Sequence, residues 1–416
     1  MDNEKNSDMQ WILRNFPDGK DIASSKAMFS METARLANRF HRQIPGYRMT
    51  ALESLSNLAQ MLGVGGIWVK DEAQRLELNS FKVMGGAFAI FRFIQKKLGL
   101  SDKETTYDYL ISEDCKKKLG TITFASATDG NHGRGVAWAA KKLGHDCVIY
   151  VHSETSPARI NAIRSYGAVV KIVAGNYDDA VRQIEIDAKK NKWEIISDTS
   201  WPGYEEIPTW IMQGYNSILI ETQGQFSGQG IIKPTHVFVQ AGVGALAGSV
   251  IGFYHMLFGQ DAPKCIVVEP DMADCLYQSA LKNDGKPHNI QGGLHTIMAG
   301  LACGEPSPIA WDILKGTADA FVKVPDYVAA RGMRILATPL KGDPMIISGE
   351  SGAVPLGALY SMLTEPGCEE LINFLGIDET SQILFINTEG NTDPTAFRQI
   401  IWDGSNPVPR RYWTTR

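Results

Sequence analysis

From Thr121 onward the chain alternates short apolar runs with segments of helical periodicity, and this alternation narrows the fold more than any other feature. TITFAS (121–126), CVIYVH (147–152), VVKIVAG (169–175) and WEIISD (193–198) read as strands. Between them lie a helix after the 126–133 loop, one opening at Ser156-Pro157 with proline near its first turn, and one across YDDAVRQIEIDAKK. Strands separated by helices in this way assemble as a parallel sheet covered on both faces. A second series starts near Thr235 with THVFVQAG, passes through CIVVEP and closes with ILFINTEG near the C-terminus. Two such series within 416 residues imply two open, twisted α/β domains.

The N-terminal part is less regular. Residues 1 to about 50 read as a polar lead-in. Thr50-Ala51-Leu52-Glu53 matches a capping box and predicts a helix running to Leu62. IWVKDE (67–72) reads as a strand, LNSFK (78–82) follows it, and a helix is expected from about Gly86 to Lys97. Because that strand precedes the 121–198 series, the later domain should recruit the N-terminal segment. The expected division is a large domain of 1–86 plus 216–416 and a small domain of 87–215.

Chemistry concentrates where strands meet helices. Lys82 stands just ahead of an apolar helical run, where a helix favours anions over cations; it reads either as a solvent-facing surface lysine or as a residue placed there for a task. After THVFVQ come Ala241, Gly242, Val243, Gly244, Ala245 and Leu246, then an apolar helix. Glycines at a strand-to-helix turn let backbone N–H groups close on an anion such as phosphate. The pattern also fits a dinucleotide fingerprint, with Glu269 at the end of the next strand as the ribose-binding acid, or a plain tight turn. The loop Ser126-Ala127-Thr128-Asp129-Gly130-Asn131-His132-Gly133 gathers hydroxyls, a carboxylate, an amide and an imidazole at a strand's carboxyl end, where open α/β sheets bind ligands. Thr388, in the turn after ILFIN, adds a hydroxyl. Asp198, ending WEIISD, and Glu350, in ISGESG, are further candidates, each readable as an ordinary strand-end or turn residue.

Composition removes several function classes. A net charge of −5 without any dense basic run interleaved with aromatics argues against nucleic acid; the lysine runs at 116–118 and 189–190 read as solvated helix faces. The six cysteines lack CxxC spacing, so no metal site is expected, although Cys275 and Cys303 could meet in space. No segment has the length of a membrane span, the first residues do not form a signal peptide, and a cytoplasmic protein is expected.

Ser80-Phe81-Lys82, the Gly130-Asn131-His132-Gly133 loop, the glycines at 242, 244 and 248 and the Thr388 turn occur in the order typical of fold-type II pyridoxal-phosphate (PLP) enzymes, the tryptophan synthase β and threonine dehydratase group. The resemblance runs from about Tyr47 to the C-terminus. Within that group, NSFKVMGG and ATDGNHGRG are most similar to the diaminopropionate ammonia-lyase family. It implies pyridoxal 5'-phosphate in the cleft between the two domains, an amino-acid substrate and a homodimer. It also implies that Lys82 is the Schiff-base lysine, that Asn131 meets the cofactor's phenolic oxygen, and that Gly242, Val243, Gly244, Ala245 and Leu246 hold the phosphate. Thr388 would face the pyridine nitrogen, and Gly85-Gly86 would leave backbone room beside the ring.

Asp129 departs from the threonine dehydratases, which carry a small neutral residue at the matching place. A carboxylate there is costly to desolvate unless it takes a proton or pairs with a cation, and a diamino acid offers both. The reading is elimination of ammonia from D- and L-2,3-diaminopropionate to pyruvate, with Lys82 as base for the L-isomer and Asp129 for the D-isomer. Ser126, Thr128, Asp198 and Glu350 would assist substrate binding. The rivals are a threonine or serine dehydratase on the same fold, a catalytically silent PLP-binding homologue, and a nucleotide-binding oxidoreductase using the Gly242 loop.

Overall fold

The structure is a computed structural model that describes residues 7–128 and 130–413. Its strands, in chain order, are β1 (Gln10–Leu13), β2 (Leu52–Ser54), β3 (Gly66–Asp71), β4 (Thr123–Thr128), β5 (Asp146–His152), β6 (Val169–Val173), β7 (Glu194–Ile195), β8 (His236–Gln240), β9 (Lys264–Pro270), β10 (Ala320–Val324) and β11 (Gln382–Asn387). They form a seven-stranded sheet ordered β1-β10-β9-β8-β11-β3-β2 and a four-stranded sheet ordered β6-β5-β4-β7. The smaller sheet is parallel throughout, whereas the larger one is parallel except at its edges, where β1 and β2 run antiparallel to β10 and β3.

The central strands of each sheet are buried at nearly every position because helices cover both faces, whereas edge strands such as β6 stay largely exposed. Along the central strands of the larger sheet, Val237, Val239, Leu384 and Ile386 enter one buried core, while Phe238, Ile266, Val268 and Phe385 enter the opposite one. The first of these cores also takes Phe124, Ile149 and Val151 from the smaller sheet. The helices Lys82–Leu98 and Glu206–Gly228 pack together within it. The expected domain limits at 86/87 and 215/216 fall inside these two helices. Their contact is very close: a Cβ on Gly85 would stand 2.6 Å from side-chain atoms of both Ile211 and Tyr215, and one on Gly214 would stand 2.6 Å from the Met84 carbonyl oxygen. Gly85 therefore makes room for a neighbouring helix, and Gly86, whose Cβ would meet Val136 at 3.2 Å, does the same for the helix Asn131–Leu143.

The lead-in is more structured than its polarity suggests, contributing β1 and the helices Ala23–Met28 and Met31–His41. The capping-box reading at Thr50 fails because its hydroxyl donates to Glu72 at 2.6 Å; the next residues form β2, and the helix is confined to Ser56–Leu62. WEIISD contracts to the two residues of β7.

Thr50 belongs to a buried charged cluster. Arg75 donates to both oxygens of Glu72 and both oxygens of Glu221, while Lys70 Nζ reaches Glu221 at 2.8 Å and Gln225 at 2.9 Å. Lys70, Glu72 and Arg75 are wholly buried. The cluster pins the segment that follows β3 to the helix Glu206–Gly228. That segment then passes through Leu76, Glu77 and Asn79 at φ of 50°, 60° and 50°, in the left-handed region, before reaching Lys82. Removing one partner of a buried ion network leaves the others uncompensated. Glu221→Ala is therefore expected to cost about 3–5 kcal/mol of stability, read from denaturant unfolding midpoints.

Candidate active site

Of the sequence-predicted residues, Lys82, Asn131, Asp198, residues 242–246 and Thr388 converge on one cavity between the sheets, which Tyr177, Gln240, Ser351 and Glu389 also line. It sits beyond the carboxyl ends of β4, β8 and β11, where helix-flanked parallel strands leave a crevice. Lys82 is the first residue of its helix, four residues earlier than the periodicity predicts. The turn before it is held by an antiparallel bridge between Ser80 and Glu389 and by the Phe81 N–H donating to Thr388 O at 3.0 Å.

The cation at this helix start is balanced by the carboxylate of Asp198, to which Lys82 Nζ donates. Burial opposes a charge on Asp198, but His132, Lys82 and the Tyr177 hydroxyl, which donates at 3.1 Å, outweigh it and hold the carboxyl far below its usual range. His132 Nδ1 lies 3.9 Å from Asp198, and its Nε2 donates to the Ile196 carbonyl at 2.8 Å.

Opposite Lys82, β8 turns through Gly242 and Gly244 into the helix Ala245–Phe258. Gly244 has φ +99°, and a Cβ on Gly242 would lie 3.0 Å from Cys303 Sγ. No side chain caps this helix, so its first-turn N–H groups are available to an anion. Cys275 also reaches this loop, its Sγ 3.7 Å from the Gly242 carbonyl oxygen. Gln240, at the end of β8, donates to Thr388 Oγ1 at 2.8 Å, which leaves the threonine's own hydrogen to donate elsewhere. The buried Gln240 Oε1 and Ser351 Oγ have no hydrogen-bond partner in the structure. An N–H cradle, an amine, an amide and unspent hydroxyls fit pyridoxal phosphate, whose phosphate, aldehyde, phenolic oxygen and ring nitrogen require those partners.

Other candidates lie outside the cavity. Ser126 Oγ donates to the Ile196 carbonyl at 2.7 Å, and Thr128 Oγ1 accepts from the N–H groups of Gly130 and Gly133 at 2.9 and 3.0 Å; both shape the loop from beneath. Glu350 is buried at the start of the helix Glu350–Thr364. Asp129 lies outside the described residues. Glu269 accepts from the N–H groups of Leu276 and Tyr277 at 2.8 and 2.7 Å, so it caps the helix Cys275–Lys282 and is not placed to hold a ribose.

Sequence reasoning missed Glu389, Gln240, Ser351 and Tyr177. Gln240 carried a usable signal, a lone polar side chain at the end of an otherwise apolar strand, whereas Glu389 lies in the polar turn that also holds Asn387 and Thr388. Tyr177 and Ser351 look like ordinary helix-start residues. Among the described residues, no cluster of His, Cys, Asp and Glu could hold a metal ion, and no helix is long and apolar enough to cross a membrane.

Comparison with known proteins agrees with this chemistry. Residues 44–370 match the family model described as pyridoxal-phosphate dependent enzyme. A diaminopropionate ammonia-lyase of Escherichia coli (strain K12) is 44% identical over 396 residues, spanning 93% of this chain and 98% of that protein. The selenomethionine holo form of the Escherichia coli enzyme superposes with a TM-score of 0.89 at 41% identity, covering 98% of this chain and 100% of the other. The same enzyme in complex with D-serine gives 0.87 at 41% identity, covering 96% and 99%.

The Glu350 carboxyl is pushed up to about 7, first by burial and then by the neighbouring charge of Glu389. Its ordinary value is 4.5, so its contribution to stability is fully present below pH 4.5 and is lost as pH rises through about 7. Glu350→Gln stays neutral throughout. It is expected to match the wild type near pH 4.5 and to exceed it at pH 8 by about 1–3 kcal/mol, measured as denaturant midpoints at the two pH values.

Proposed function

The chain belongs to the pyridoxal-phosphate dependent enzyme family, and from that premise we propose that it is a diaminopropionate ammonia-lyase acting on both stereoisomers, with pyruvate and two ammonia as products. The observation that carries the proposal is the position of Lys82. Its amine lies in a buried cleft, neutralised by Asp198 and facing an uncapped glycine turn.

Bound PLP supplies an electron sink for the charge that develops when the α-proton leaves. Lys82 would hold it through its amine, the N–H groups of residues 242–246 would hold its phosphate, and Asn131 its phenolic oxygen. Thr388, which accepts from Gln240, would donate its own hydrogen to the ring nitrogen, and such a neutral donor leaves that nitrogen unprotonated. Lys82 Nζ removes the α-proton of the L-isomer from its side of the cleft. The D-isomer presents that proton to the opposite side, where the base is Asp129, adjoining the Gly130-Asn131 turn in sequence. The relative solved with D-serine supports a site that admits the D configuration. Asp198 is read as the anion that receives a substrate ammonium once the lysine is engaged elsewhere. The leaving β-amino group and hydrolysis of the remaining enamine account for both ammonia molecules.

Lys82→Ala is expected to remove the visible absorption band and to lower pyruvate formation from both isomers by at least about 10²–10⁴-fold. Asp129→Asn should abolish turnover of D-diaminopropionate while leaving much of the L-isomer activity. Equal loss of both in a coupled pyruvate assay would reduce Asp129 to a binding group.

A further inference from the structure

Asn131 can meet the cofactor's phenolic oxygen with either end of its amide, and the two choices have opposite effects. A donated N–H favours the deprotonated oxygen, whereas a facing carbonyl favours the protonated one. What selects the end is a neighbour on the other side of the cavity. Glu389 is buried, 1% exposed, and its Oε2 accepts from Asn131 Nδ2 at 2.6 Å. Because this carboxyl oxygen accepts, the nitrogen end of the amide is held on this side, and its second hydrogen remains to be given.

Glu389 is itself firmly placed. Its Oε2 also accepts from Thr392 Oγ1 at 3.2 Å, and its Oε1 accepts from the Ser351 N–H at 3.2 Å. Its carbonyl oxygen accepts from the Gly349 N–H at 3.0 Å, and its backbone bridges Ser80. A Cβ at position 349 would stand 2.8 Å from Glu389 Oε1, so glycine there leaves space for the carboxylate. Three chain segments thus meet at one residue: the Lys82 turn on its backbone, and the Asn131 turn and the start of the helix Glu350–Thr364 on its carboxyl oxygens.

We infer that Glu389 is a positioning residue that fixes the amide of Asn131 with its nitrogen toward the cofactor's phenolic oxygen. This rests on the reading of Lys82 and Asn131 given above.

The test is a pH titration of the holoenzyme's visible absorption band, with apoprotein affinity for PLP as a second readout. Glu389→Leu removes the acceptor and frees the amide to turn. The midpoint of the titration is expected to rise by about one pH unit, a tenfold change in proton affinity, and PLP affinity is expected to fall. Glu389→Gln retains a weaker, neutral acceptor and should fall between the two. Both shifts should vanish in the Asn131→Ala background, where any residual effect of removing a negative charge would lower the midpoint. If Glu389→Leu does not fold, Glu389→Gln in the two backgrounds carries the same comparison. An unchanged or lowered midpoint in the Asn131 protein, or an equal rise in both backgrounds, overturns the assignment. A wild-type protein with no visible band would fail the reading of Lys82, whereas a normal band indifferent to residue 389 fails only this inference.

Discussion

An ammonium held at the positive end of a helix is the constraint around which this site is arranged. The helix Lys82–Leu98 has no side-chain N-cap and no acidic residue in its first turn, so its dipole disfavours the charge its own first residue carries. Asp198 meets that charge from the far side of the cavity, just past the short edge strand β7 of the four-stranded sheet. The pair needs the two sheets together, since each contributes one member. Asp198 in turn is held as a carboxylate by the Tyr177 hydroxyl, which donates to it, and by the nearby imidazole of His132, which acts through charge at 3.9 Å; a buried carboxyl without such support would take up a proton and leave the lysine without its counter-charge.

Such a pairing is useful only if the lysine does not wander, and the segment before it is built to prevent that. Leu76, Glu77 and Asn79 adopt left-handed backbone conformations that non-glycine residues avoid, at a cost of order 1–3 kcal/mol each. The buried charges of Lys70, Glu72, Arg75 and Glu221 hold one end of this segment, and the Ser80–Glu389 bridge holds the other. Strain located here, immediately ahead of a reactive amine, is consistent with a loop whose shape is set by what it presents.

Much of the site was legible because its chemistry is local. Lys82, Asn131 and the glycines at 242 and 244 each sit in a short string whose composition already states a task, and the order of those strings identified the family. The failures share a different cause. Thr50 looked like a helix cap because its partner, Glu72, lies in another segment, and Gly85 looked like space for a ligand because its true neighbours, Ile211 and Tyr215, lie more than a hundred positions away. Glu389 stands in the polar turn after β11, next to Thr388, and its meaning depends on Asn131, which follows a strand of the other sheet. Glu269 removes the support for the rival dinucleotide reading: a residue that spacing allows for a ribose caps a helix instead.

The core that takes Val237 and Val239 from one sheet and Phe124, Ile149 and Val151 from the other has a consequence for how this molecule could be divided. Each half keeps a core of its own on one side, but this one is shared between them. Excising the 123–195 region would bare the side of the helix Asn131–Leu143 that packs on the helix Lys82–Leu98, so it is not a portable module that could be grafted onto another scaffold. Joint burial also links the assembly of the cleft to the cooperativity of folding: the chain cannot complete the one without completing the other.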